Sequence, residues 1–345
     1  MTKNFYILLI LAFALVACEG VTKQENEHRD AVETEQATTS KLSFTVVEDA
    51  VLSSGTLYRI ENFQSAFVAP RNIDVWVPSN YHKDSIYASL YMHDGQMLFD
   101  STTTWNKQEW KVDETLSRLM VEGKIKPTIA IGMWNVNEHR HTDYFPQKPF
   151  ESLDEATQQR VLDENHAQSE MLFRKPLNAD NYVQFITEEV LSLIEANFSV
   201  SRSMKDRVVA GSSMGGLISW YTVVEKPFVF STAICMSTHW PGAMSIENNP
   251  LPDAFFDYLT ENLPQAPSNH QFYFDFGTET LDALYPPFEG QVNEVFASRN
   301  YKESSFINRK FEGTDHSENA WNQRLHIPLE FALHPEVLCI IPTKK

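Results

Sequence analysis

Arg207-Val208-Val209-Ala210, then Gly211-Ser212-Ser213-Met214-Gly215-Gly216, then Leu217-Ile218-Ser219-Trp220-Tyr221 is the stretch on which the fold turns. A β-branched run, a G-x-S-x-G turn and an apolar, helix-compatible run follow one another, the order expected where a strand delivers a serine to a sharp turn before a helix. A side chain exposed on such a turn needs strained backbone angles, and glycines beside it let strand and helix approach. Ser213 is therefore the candidate nucleophile. The following helix points its amino terminus at the serine, which makes the Met214 N–H a candidate oxyanion donor. Glycine is scarce, 12 of 345 residues, so the spacing is informative.

Outward from this turn, β-rich runs alternate with helical stretches. Strands are expected at 42–47, 56–61, 72–77, 86–92, 128–133, 207–210, 230–236, 271–276 and 306–311. Helical period marks 112–121, 182–197, 217–225 and 320–333. Strand and helix in alternation imply an α/β fold, a mostly parallel central sheet flanked by helices on both faces. The first three strands lack intervening helices and suit an antiparallel edge. Ligands of such sheets bind where the strands end at their carboxyl side, so the loops there are where chemistry is sought.

Three of those loops carry candidates. The run 86–92 leads into His93-Asp94-Gly95-Gln96, where the Gln96 N–H is a second candidate oxyanion donor and Gly95 permits a close turn. After 306–311 comes Phe311-Glu312-Gly313-Thr314-Asp315-His316, which puts His316 in place to accept the serine proton. His239, His326 and His334 compete less well, since they precede the expected acid or belong to the final helix and beyond. After 271–276, Glu279 and Asp282 are both plausible orienting carboxylates. Asp282 is favoured because Glu279 follows the strand closely enough to cap the next segment. Asp275 is expected to point off the sheet.

Taken together, these residues resemble the putative-esterase family of α/β-hydrolases, which includes enterochelin esterases, S-formylglutathione hydrolases, acetyl-xylan and feruloyl esterases and mycolyltransferases. The resemblance covers most of the chain after about residue 50 and is carried by 71–78 (RNIDVWVP), 91–100 (YMHDGQMLFD), 211–216 and 313–316. It implies the α/β-hydrolase fold and ester hydrolysis through an acyl-enzyme with no cofactor. By motif position, nucleophile, base and oxyanion donors fall on Ser213, His316, Met214 and Gln96. Many members carry the acid three residues after the strand-end glycine, where this chain has Thr280, so the acid stays open. The resemblance also makes Arg140 and Tyr144, after the strand 128–133, candidates for substrate hydroxyls or a carboxylate. In the same stretch His139 and His141 alternate if the chain is extended and suggest a metal set with Asp143, but no further ligand cluster is visible and no metal is expected. Trp240 is either a pocket wall for a sugar or aromatic acyl group or a buried structural residue.

The expected substrate is a small-molecule or glycan ester, with acetyl or feruloyl esters of carbohydrates first and siderophore esters second. Acyl transfer, or a binding lipoprotein that keeps the fold without activity, are the alternatives. A net charge of −18 with no basic stripe argues against nucleic acid. Three cysteines, Cys18, Cys235 and Cys339, have no zinc or disulfide spacing. Residues 1–17 read as an export signal, with Lys3, an apolar run from Phe5 to Val16, and Ala17. That run is too short for the roughly 30 Å of bilayer hydrocarbon. Leu15-Val16-Ala17-Cys18 resembles the lipobox of bacterial lipoproteins, which implies a lipid on Cys18 and a place in the cell envelope, and Glu19 leans towards the outer membrane. Residues 18–40 are polar enough to be a flexible tether, spanning roughly 25 Å. One catalytic domain, 41–345, follows.

Overall fold

The computed structural model describes residues 43–168, 173, 175–243, 247–266 and 268–335. The expected signal, Cys18, the tether and Cys339 lie outside them. Nine strands, β1 (Thr45–Val46), β2 (Thr56–Phe63), β3 (Arg71–Val77), β4 (Ala88–His93), β5 (Thr128–Met133), β6 (Arg207–Ser212), β7 (Thr232–Met236), β8 (Gln271–Phe276) and β9 (Phe306–Lys310), form one sheet in the order β1-β2-β3-β5-β4-β6-β7-β8-β9. Pairs from β1 to β3 and between β3 and β5 are antiparallel; all pairs from β5 through β9 are parallel. The antiparallel edge, the parallel centre and the flanking helices form the α/β-hydrolase fold.

The strands read as they do because of where they sit. β4, β5 and β6 are buried at every position, so both faces are covered and the middles of their runs are apolar on both faces. Their side chains still alternate. Tyr91, Val209, Cys235 and Phe274 point into one apolar cluster, and Leu90, Met92, Val208, Ala210, Ile234 and Tyr273 into the other. Cys235 is a buried free thiol.

The helices are α1 (Val112–Val121), α2 (Asn137–Tyr144), α3 (Gln147–Glu151), α4 (Glu155–Gln168), α5 (Ala179–Gln184), α6 (Leu191–Asn197), α7 (Met214–Glu225), α8 (Leu251–Asn262), α9 (Glu289–Ser298), α10 (Glu318–Arg324) and α11 (His326–Ala332). A π-helical stretch, Phe185–Val190, joins α5 to α6. On α7, every residue from Met214 to Val224 is buried. The single helix expected over 320–333 is instead two, broken at Leu325: Pro328 has no N–H to give the Arg324 carbonyl and cannot continue α10.

Residues 137–144 also depart from expectation. They form helix α2, so the extended alternation that would have put His139 and His141 on one face does not exist. His141 packs against Phe145 and Phe173, while Asp143 is buried against Arg71 at 2.8 Å and Asn178 at 3.0 Å. No group of three or more metal-capable side chains occurs among the described residues.

Candidate active site

Because β4, β6, β7, β8 and β9 run parallel, their carboxyl ends bring five loops to one edge of the sheet. Ser213 follows β6 with φ 57° and ψ −121°, a strained conformation for a residue with a Cβ. Its N–H bonds the Met236 carbonyl at 3.0 Å and its carbonyl accepts from the His239 N–H at 3.2 Å, so the end of β7 pins the turn. A Cβ on Gly211 would lie 2.8 Å from the Gly215 carbonyl carbon, which is why the motif needs glycine there. Met214 is the first residue of α7, whose leading N–H groups have no partner within the helix.

His316 lies in the loop after β9. Its N–H bonds Thr280 Oγ1 at 3.0 Å, and its Nδ1 lies 2.5 Å from Asp282 Oδ1. Of the two carboxylates considered, the structure brings Asp282 to the histidine and leaves Glu279 exposed. Thr280, the position at which the resemblance would put the acid, holds the histidine backbone instead. Asp282 Oδ2 accepts from the Gly277 N–H at 2.5 Å and from Ser237 Oγ at 2.6 Å. Burial pushes the Asp282 carboxyl up, but hydrogen bonds from His316, Ser237 and Gly277 outweigh it and hold its pKa below the usual carboxylate range. An ionised Asp282 requires Nδ1 to carry the proton, which leaves Nε2 free to act as a base.

Ser237 is itself held. Its Oγ accepts from Trp321 Nε1 at 2.9 Å and Arg324 Nη2 at 3.0 Å. Arg324 is paired with Asp275, whose two oxygens lie 3.1 Å from its guanidinium. Asp275 therefore points off the sheet, as expected, into a buried ion pair behind Asp282.

On the other side of Ser213, Asp94 takes the left-handed conformation (φ 57°) and starts a 3-10 turn, Gly95–Met97, containing Gln96. A Cβ on Gly95 would fall 2.6 Å from the Gly132 carbonyl carbon, so only glycine lets this turn lie against β5. The Gln96 side chain accepts the Asn135 N–H at 3.1 Å. Arg140 grips Asp94 with two hydrogen bonds of 2.8 Å, and Asn135 Nδ2 adds a third of 2.6 Å. Burial disfavours both charges, but each ion offsets it for the other: Asp94 is lowered and Arg140 raised.

A cleft of about 300 Å³ joins these parts, lined among others by Gln96, Trp105, Arg140, Ser213, His316 and Trp321. Two expectations of substrate contact require correction. Tyr144 is fully buried, and its hydroxyl accepts the Asp94 N–H at 3.3 Å, so it supports the turn from beneath. Trp240 is also buried, packed on Trp220, Phe256 and Phe274, and is a core residue. Among the competing histidines, His239 donates Nε2–H to the Ala243 carbonyl at 3.1 Å and accepts from Tyr285 at Nδ1, and burial pushes its pKa down to about 4. His326 begins α11, and His334 sits near Gln271, at the amino end of β8 and so at the opposite end of the sheet. Thr280, Ser237, Trp321, Arg324 and Trp105 carried no motif. Only position marks Ser237 and Thr280, both in carboxyl-end loops.

An elbow serine, a histidine held by a buried aspartate and a turn after β4, all at the carboxyl edge of a mostly parallel sheet, define an α/β-hydrolase. The chain belongs to the family described as putative esterase, whose model matches residues 65–329. Among solved structures, a ferulic acid esterase superposes with TM-score 0.55 at 16% identity, covering 81% of this chain and 98% of that one. An IroE-like serine hydrolase from Shewanella oneidensis gives TM-score 0.56 at 15% identity, covering 80% and 78%. At these identities the likeness shows the fold. The uncharacterized protein YbbA of Bacillus subtilis (strain 168) is 26% identical over 161 residues, 46% of this chain and 53% of that protein, so the match spans about half of that relative.

Proposed function

We propose that the protein is a serine esterase that cleaves carboxylic esters through an acyl-enzyme. Ser213 Oγ attacks the ester carbonyl while His316 Nε2 accepts its proton, and Asp282 holds the imidazole and stabilises its charge. The N–H groups of Met214 and Gln96 take the oxyanion. His316 then protonates the leaving alcohol, and water activated by the same imidazole releases the acid. The observation that carries this reading is the 2.5 Å contact between His316 and the fully buried Asp282, in the cleft that Ser213 also lines. No step calls for a cofactor.

The substrate class we propose is an acetyl or feruloyl ester of a carbohydrate, a reading supported by the fold shared with a ferulic acid esterase. We also propose that the protein is exported and lipid-anchored through Cys18 in the cell envelope, at the outer membrane. Incorporation of labelled palmitate that disappears in Cys18→Ser would support the anchor, and labelling unchanged by that substitution would refute it. The serine mechanism is tested by a fluorophosphonate probe. Peptide mapping should find one adduct, on Ser213, abolished in Ser213→Ala; an adduct on another serine would overturn the assignment.

A further inference from the structure

Trp105 stands apart from the other tryptophans. The chain has seven, and Trp105 is 83% exposed while the rest are buried or half-buried. It lies at the cleft that Ser213 and His316 line. Among the described residues its indole makes no ring contact and no hydrogen bond.

The loop that carries it is firmly built. Asp100 Oδ1 accepts from the Thr102 N–H and hydroxyl at 2.8 and 2.6 Å, and Asp100 Oδ2 accepts the Val51 N–H at 3.0 Å. Ser101 N–H bonds Glu109 Oε2 at 3.1 Å, and Lys107 Nζ bonds the Thr102 carbonyl at 2.7 Å. The loop is also tied to the segment after His316: Asn106 Nδ2 bonds Glu318 Oε2 at 2.8 Å, the Asn319 N–H bonds Gln108 Oε1 at 3.2 Å, and Asn322 Nδ2 bonds the Glu109 carbonyl at 3.0 Å. A large apolar side chain left in water on a loop held this way has its ordering entropy removed before any ligand arrives, the condition for a binding platform.

The surroundings select the ligand. Asn135, Asn137, Arg140 and Glu318 line the same cleft, so an aromatic face stands beside amide and charged groups. A pyranose ring matches that pairing, with its C–H face for the indole and its hydroxyl rim for the polar groups. A net charge of −18 disfavours a polyanionic glycan.

We propose that Trp105 is a specificity platform on which a neutral pyranose ring stacks, placing the alcohol portion of a glycan ester at Ser213. This rests on the esterase reading for its catalytic meaning, and the test separates the two. Steady-state kinetics on an acetylated xylo-oligosaccharide and on 4-nitrophenyl acetate would be run for the full protein, Trp105→Ala and Trp105→Tyr. Trp105→Ala should lose about 10-fold or more in kcat/KM on the glycan ester, carried by KM, and a clearly smaller factor on the nitrophenyl ester, which has no pyranose ring to stack; Trp105→Tyr should recover most of the glycan-ester loss. Calorimetric binding of the unesterified oligosaccharide to Ser213→Ala protein, with and without Trp105→Ala, reports the platform without catalysis. Glycan binding that needs Trp105 in a protein with no esterase activity would sink the esterase reading and keep the platform. An active esterase that does not bind or cleave the glycan, or does so equally well without Trp105, would overturn the platform, as would an equal loss on both esters.

Discussion

Asp282 Oδ1 lies 2.5 Å from His316 Nδ1, and the carboxylate is wholly shielded from solvent. Removing its charge while keeping its shape isolates its role. Asp282→Asn should lower kcat on 4-nitrophenyl acetate by on the order of 10³-fold, because an amide no longer selects the proton on Nδ1. Glu279→Gln, at an exposed position, should stay within about 2-fold. The reverse ranking would move the acid to Glu279.

Ser237 joins Asp282 Oδ2, Trp321 Nε1 and Arg324 Nη2 through one hydroxyl. Ser237→Ala leaves three buried polar groups short of a partner. We expect a stability loss of about 1–3 kcal/mol by urea unfolding and a fall in kcat of roughly tenfold as Asp282 loses an anchor. Wild-type kcat in a destabilised variant would show that the network supports the fold without orienting the acid.

Three buried histidines should cost the fold stability in mild acid. Burial drives His93 and His141 down to about 3 and His239 to about 4, from an ordinary value of 6.5. Below 6.5 the unfolded chain takes up protons that these three cannot accept while folded, so each costs about 1.4 kcal/mol per pH unit, roughly 4 together, until the folded values are reached. Asp282 works in a lower window: its stabilising effect is present above its ordinary value of 3.8 and is lost as pH falls from there through its lowered folded pKa. Urea midpoints measured from pH 7 to 5 should drop steeply; a flat profile over that range would mean the histidines are not buried neutral.

Much of this was legible in the chain because local pattern and tertiary role coincide. Strands 128–133 and 271–276 and helix 112–121 match their expected bounds, and the glycine–serine spacing located the elbow. Expectation failed where tertiary context decides. The segment Asn137–Tyr144 (NEHRHTDY) has no apolar period and is a helix because Thr142, Asp143 and Tyr144 find buried partners. In α9 the apolar Val292, Val295 and Phe296 are spaced for a helix face, but three residues in ten are a faint signal. Tyr144 and Trp240 sit near the site in sequence yet face the core, and sequence position does not reveal side-chain direction. Trp105 is the opposite case, an aromatic residue whose exposure follows from long-range ties such as Asn106 to Glu318.

The proposed chemistry depends on Ser213 as the nucleophile. The most direct measurement is release of 4-nitrophenol from 4-nitrophenyl acetate by residues 19–345 and by the same protein carrying Ser213→Ala, both verified as folded. Turnover should be measurable in the first and lower by on the order of 10³-fold or more in the second. Equal turnover in both would contradict that role.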